Sequence, residues 1–345
     1  MDAILSGIAA AVESLWSVVR PHSLSTDRPL WSFAVGSLVA MARNYFWFLL
    51  VGMAIYAFFV RRSERFSPWT AVKFLLPASI YKTPSVRIDL MLVPVSWVLN
   101  FVLFAGLAVG SGVVQIWLVK QYGPSSLQIP AGATAIVLQI LFTLLGTDVA
   151  RFSWHYQGHK VPFFWEFHKG HHSAEALHPI FIRTHPVDML IRLLYMNVGG
   201  GLVGGGLMYI AGVNASAAAA GFLALIGAAI HLMQQFEHSH VKFSFGKTLD
   251  KVFYPPHFHL IHHSALPEHR DKNLGLTGGL CLWDKLAGTL YIPKPDERIV
   301  YGASMEELGD DNPHRTLWGF LWRPFVEAVK TLRPRVGNVV GRQQS

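Results

Sequence analysis

Apolar residues in this chain fall in long runs, not in the alternation of half-buried strands. Asn44–Val60 is apolar throughout and is closed by Arg61 and Arg62. Leu90–Val119 follows, with Pro94 near its start, and then Ala131–Thr147, Met189–Ala211 and Ala215–Met233. A membrane-spanning helix needs about 20 such residues. The five runs therefore predict four or five spans, the first and third being short. Ahead of them, Ile4, Ile8, Val12, Leu15 and Val19 recur at helical spacing. Asp2 and Glu13 interrupt that stretch and no basic segment precedes it, so it predicts an amphipathic helix in the membrane interface, not a signal peptide.

Basic residues give the spans a direction. The loop after the first span carries Arg61, Arg62, Arg65, Lys73, Lys82 and Arg87, whereas the loop between the second and third carries only Lys120. By the positive-inside rule, residues 61–89, 150–188 and 234–345 are expected in the cytoplasm. Composition agrees with a chain that faces lipid: 52% of residues are hydrophobic, 14% are charged, and the mean hydropathy is +0.34. The net charge of +8 lies in loops and does not form a nucleic-acid footprint. A single cysteine, Cys281, excludes an internal disulfide framework and Cys-rich metal modules.

Gly199–Gly206 contains a formal GxGxxG, but it lies inside an apolar run with no strand–helix unit around it. Gly200/Gly204 and Gly201/Gly205 instead have the spacing of close helix packing. Histidine is the unusual component, with 15 of 17 lying between His155 and His269. Asp148, His155 and His159 fall on one helical stripe at the end of the third run. His168-Lys-Gly-His171-His172 and His259-Leu-Ile-His262-His263 each place i, i+3 and i+4 on one face. Between them stands His231-Leu-Met-Gln-Gln-Phe-Glu237-His238-Ser-His240.

Nine neutral imidazoles buried without partners would cost several kcal/mol in unmet hydrogen bonds. Metal coordination removes that cost, and one tetrahedral ion takes only four ligands. Nine suits two metals with open positions. A zinc-dependent membrane hydrolase would be favoured by HExxH, which is absent, and no GxSxG elbow is present. A metal transporter would set its ligands midway across the bilayer, whereas these lie beyond the span ends.

The order HxxxH, HxxHH, HxxHH resembles the membrane-bound fatty acid hydroxylase superfamily, with its sterol desaturases, sterol methyl oxidases and alkylglycerol monooxygenase. Arg183-Thr-His185-Pro186 resembles its RxHP element and Phe236-Glu-His238-Ser239 its lone-His element. Pro256–Ser264, Asn273-Leu-Gly275 and Trp283-Asp284 with Gly288-Thr289 resemble its PxxHxxHHS, NxG and WD…GT elements.

The resemblance implies an all-α integral membrane protein with four or five spans and a cytoplasmic, histidine-rich helical cap around a dinuclear site. It divides the chain into an N-terminal interfacial helix and linker (1–43), a transmembrane region (44–130), the catalytic domain (131–293) and a cytoplasmic tail (294–345). Two irons are implied, held by His155, His159, His168, His171, His172, His238, His259, His262 and His263. His185, His231 and His240 are further candidates as ligands or as partners of ligands. Asp148 and Glu237 are expected to accept the outer N–H of ligand imidazoles. The implied reaction uses O₂ to hydroxylate an unactivated C–H of a lipid; the alternative is sterol desaturation or C4-methyl oxidation. No built-in flavin, haem or nicotinamide site is legible. The implied partners are therefore a bilayer lipid and an external electron donor, such as a reductase, a ferredoxin or a cytochrome b5-like protein. The expected location is the inner membrane of a bacterium or the endoplasmic reticulum of a eukaryote.

Overall fold

The computed structural model describes residue 43 and residues 46–57, 67–179, 183–294, 296–302 and 312–332, and for 93–109 only the backbone. The expected interfacial helix near the N-terminus lies outside the described residues. Every regular element described is helical, with only two isolated β-bridges, Phe253–Leu280 and Ser264–Tyr301.

A short apolar helix, α1 (Phe46–Ile55), occupies part of the first expected span. After the small helices α2 (Pro68–Leu75) and α3 (Ala78–Tyr81) comes α4, a continuous helix over Pro84–Tyr122 that contains the second. Three helices among the described residues are long and apolar enough to cross a membrane: α5 (Ala133–Lys160), α7 (Pro186–Ile210) and α8 (Ala217–Glu237). Short helices complete the structure: α6 (Pro162–His172), α9 (Pro256–His262), α10 (Leu282–Ala287) and α11 (Leu317–Thr331). The stretch read as a tail thus contains a 15-residue helix.

Proline sets where several of these helices begin. Pro84, Pro162, Pro186 and Pro256 each stand in the first turn, where the missing N–H has no helical partner to lose and φ is already helical. The glycine run does what its spacing predicts. A Cβ on Gly146 of α5 would lie 2.5 Å from the Gly200 carbonyl oxygen and 2.6 Å from the Gly204 nitrogen. One on Gly201 would lie 3.1 Å from the Gly110 carbonyl of α4. Gly200 and Gly204 therefore admit α5, while Gly201 and Gly205 admit α4, and α7 packs between them at backbone contact. Just before this run α7 widens into one π turn, Tyr195–Gly199.

The long helices α4, α5, α7 and α8 alternate in direction, which fixes where the chemistry gathers. At one end, Gln115 Nε2 of α4 donates to Asn214 Oδ1 at 3.1 Å, and Gln139 of α5 accepts from the Ser216 N–H at 2.9 Å. The start of α4, the end of α5, the start of α7 and the end of α8 meet at the opposite end.

Candidate metal centre

α5 continues beyond its apolar run for three further turns and carries His155 and His159 on them. α6 follows after Val161 and turns His168, His171 and His172 back toward α5. His238 caps the end of α8, and α9 brings His259, His262 and His263 from the C-terminal side. These nine rings form two adjoining groups. His155, His159, His168, His172 and His262 make one, and His171, His238, His259 and His263 the other. Within each, the candidate ligand atoms lie within 4.8 Å of one another. The HxxHH boxes divide between them, because successive residues on a helix point about 100° apart. Hence His172 and His171 face different groups, as do His262 and His263.

Outer hydrogen bonds fix which ring nitrogen faces inward. His155 Nδ1–H donates to the Leu274 carbonyl at 2.8 Å, His171 Nδ1–H to the Arg183 carbonyl at 3.1 Å and His262 Nδ1–H to the Lys272 carbonyl at 3.1 Å. A carbonyl oxygen can only accept, so the proton is on Nδ1 and Nε2 carries the lone pair. His168 Nδ1–H donates to Asp188 Oδ2 at 2.9 Å, and Asp188 Oδ1 accepts from the Trp154 indole at 2.8 Å. His159 is held more loosely, 3.5 Å from Asp271.

The inward nitrogens have the character of ligands. In the first group the Nε2 atoms of His159, His168, His172 and His262 are buried without a hydrogen-bond partner. In the second, His238, His259 and His263 present Nε2 atoms 3.1–3.2 Å apart in a triangle, with His171 Nε2 3.4 Å from His238. Each Nε2 has one in-plane direction, for either a proton or a lone pair, so a triangle cannot be closed by hydrogen bonds. Metal–imidazole bonds of about 2.0–2.1 Å in a tetrahedron would separate their nitrogens by about 3.3 Å. Burial, and then the neighbouring imidazoles, hold His238 and His262 down to about 3 and His171, His172, His259 and His263 well below the usual imidazole range. Those shifts favour the neutral form of these six rings, the state that binds zinc, iron, copper and nickel. The donor set fits a metal in each group.

Other expected residues go elsewhere. Asp148 accepts from the Leu280 N–H at 2.9 Å and the Trp283 indole at 2.7 Å instead of from an imidazole. Glu237 accepts from the Thr277 N–H. Both carboxylates pin the 274–284 loop, because that loop offers unpaired backbone donors at the span ends, and the same loop presents the Leu274 carbonyl to His155. Asp284 fastens it further, accepting from the Leu274 and Gly275 N–H groups at 2.7 and 2.8 Å. His185 belongs to neither group. Its Nδ1 accepts from Val187 N–H at 3.1 Å, capping α7, and its Nε2–H donates to the Leu321 carbonyl at 3.0 Å, so both nitrogens are in use. His231 and His240 also lie outside the groups; His231 neighbours Gln235 on α8, and the His240 ring packs on Phe74.

Sequence reading missed Asp188 and Asp89. Asp188 sits two residues after the proline that opens α7, a lone acid at the mouth of an apolar run, which was the available signal. Asp89 has the same place in α4. It accepts from Arg183 Nε at 3.0 Å and His178 Nε2 at 2.9 Å, all three buried, and Arg183 also donates to Ser173 Oγ at 3.2 Å. This network fixes the backbone at 183, whose carbonyl orients His171.

Residues 140–289 match the model of the fatty acid hydroxylase family. The match contains all nine histidines of the two groups, together with Asp188 and the 274–284 loop. No solved structure matches the chain. Three apolar helices and this family together make the chain an integral membrane protein.

Proposed function

We propose, from the match of residues 140–289 to the fatty acid hydroxylase family, that the protein is a membrane di-iron oxygenase that hydroxylates an unactivated C–H bond of a lipid. The observation that carries the reading is the pair of adjoining groups of imidazoles, with their candidate ligand atoms within 4.8 Å of one another in each group. Two irons held there would supply the reductive activation of O₂ that so strong a bond requires.

The chain's own residues do three things toward that reaction. The Leu274, Arg183 and Lys272 carbonyls and the Asp188 carboxylate hold four rings in one tautomer and one orientation, as outer partners do at metal sites. The apolar packing of α9, with Phe258, Leu260 and Ile261 buried, keeps water from the rings. The position of the groups at the ends of α5 and α8 lets a lipid tail reach them from the bilayer while its polar head stays at the surface. Overall, a lipid C–H, O₂, two electrons and two protons give an alcohol and water. The electrons come from a separate donor on the cytoplasmic side; the excess of basic residues in the loops on the cap's side supports that sidedness.

Reconstituted full-length protein, loaded with iron and given a reductant and O₂, should convert a bilayer lipid to a product that gains one oxygen. A product that loses two hydrogens instead would assign desaturation, and iron-independent turnover would overturn the reading. Cysteine labels at 123 or 215 should react from outside the cell and labels at 65 or 310 only after permeabilisation. The reverse pattern would remove the cap from the cytoplasm.

A further inference from the structure

α11 has three faces, and the described residues account for only two of them. Phe320, Pro324 and Ala328 are buried, Phe320 packing on Ile88 and Leu92 of α4. Arg323, Glu327 and Lys330 form a polar face, with both cations on Glu327 at 2.8 and 2.9 Å. The third face is apolar and exposed. At about 100° per residue, Trp318, Trp322, Phe325 and Val329 fall within about 60° of one another. Trp318 and Trp322 are 71% and 55% exposed, and their rings are stacked with centroids 5.8 Å apart.

Where this helix sits decides what can cover that face. Ile88 and Leu92 flank Leu90, where the apolar run of α4 begins. The Leu321 carbonyl is tied to His185, the residue before the α7 span. α11 therefore lies level with the point at which two long helices enter the apolar layer. At 15 residues, with charges along one side, it cannot cross. Tryptophan is enriched at the membrane interface, where an apolar ring body and a polar N–H both find partners. Charge points the same way: two cations share one acid on the polar face, and residues 333–345 add Arg333, Arg335 and Arg342 with no acid.

We propose that α11 is an in-plane interfacial helix that seats its Trp318–Val329 face in the surface of the protein's own bilayer, with its basic side toward anionic phospholipid headgroups. Such a helix would fix the depth of the cap, and so the height of the histidine groups above the acyl chains. The inference rests on the membrane reading but not on the oxygenase reading, so its test requires no turnover.

Spin labels should be placed singly at Trp322→Cys, Val329→Cys, Arg323→Cys and Lys330→Cys in the full-length chain, whose own Cys281 is buried. The chain is reconstituted in vesicles of phosphatidylcholine with phosphatidylglycerol, and relaxation by O₂ is compared with relaxation by a water-soluble nickel chelate. At 322 and 329, O₂ should be the stronger relaxer, and at 323 and 330 the chelate. Vesicles of phosphatidylcholine alone should reduce the contrast at 322. Chelate-dominated relaxation at 322 and 329 would show a water-facing surface and overturn the proposal. Shielding of both from both relaxers would show a protein occupant, such as a second copy, and overturn it equally. An unchanged contrast without phosphatidylglycerol would remove the role of anionic headgroups.

Discussion

Replacing Asp188 by Asn keeps the size of the side chain and removes only the ability to accept on both oxygens. In the structure, one oxygen takes the His168 Nδ1–H at 2.9 Å and the other the Trp154 indole N–H at 2.8 Å, with all three groups buried. An amide has one acceptor and one donor end. If the NH₂ faces Trp154, two donors meet. If it faces His168, that ring must move its proton from Nδ1 to Nε2, the nitrogen that points into the first group. Either outcome removes a charge-assisted hydrogen bond worth about 1.5–3 kcal/mol. At about 1.4 kcal/mol per decade, this matches the roughly 10–100-fold loss typical when the outer partner of a metal-ligating histidine is removed. Metal affinity should be measured by competition with a chelator of known strength, alongside iron content at a fixed low iron concentration. Asp188→Glu, which keeps both acceptors, should retain more affinity than Asp188→Asn. Wild-type affinity in Asp188→Asn would show that the carboxylate does not hold His168 in its binding tautomer.

Further expectations follow from particular contacts. His185→Ala removes the cap of α7 and the bond to Leu321, so it should lower stability by about 1–2 kcal/mol while metal content stays at the wild-type level; loss of metal would return His185 to the ligand set. Gly146→Leu forces a side chain against the Gly200 and Gly204 backbone, and overpacking of this kind costs about 1–3 kcal/mol or more. It should lower the unfolding temperature in detergent, and an unchanged temperature would contradict the packing. Burial, and then the neighbouring Asp284 carboxylate, push the Cys281 thiol up to about 12, so the thiolate needed for alkylation is scarce at pH 8. Maleimide should label Cys281 only after denaturation, and rapid labelling of the folded chain would mean that this loop opens.

The histidine set was legible because its members come in short boxes whose spacing survives as a helical face. Their division was not. His171 and His172 are adjacent in sequence, yet the sequence does not say that they face different groups until α6 is placed against α5. Outer partners were largely invisible, since the carbonyls of Leu274, Arg183 and Lys272 carry no side-chain signature. The two acids nearest the boxes, Asp148 and Glu237, were the natural candidates for that role. Backbone donors at 277 and 280 lie closer to them, because the returning 274–284 loop crosses the span ends there. Three of the five expected spans, those of α5, α7 and α8, were readable from apolar length alone, and the packing of Gly200–Gly205 from the small-residue spacing. α11 escaped because Pro324 stands in its middle and reads as a breaker. The helix nevertheless runs on through Pro324, which is buried.

Metal stoichiometry of the full-length protein tests the central claim most directly. The chain should be purified after expression with iron and measured by mass spectrometry. It should be compared with a variant carrying His168→Ala and His262→Ala, from the first group, and one carrying His259→Ala and His263→Ala, from the second. Two separate groups predict two irons for the wild type and one for each double variant, with membrane insertion intact in all three. A wild type that binds no metal, or two double variants that both keep two irons, would contradict it.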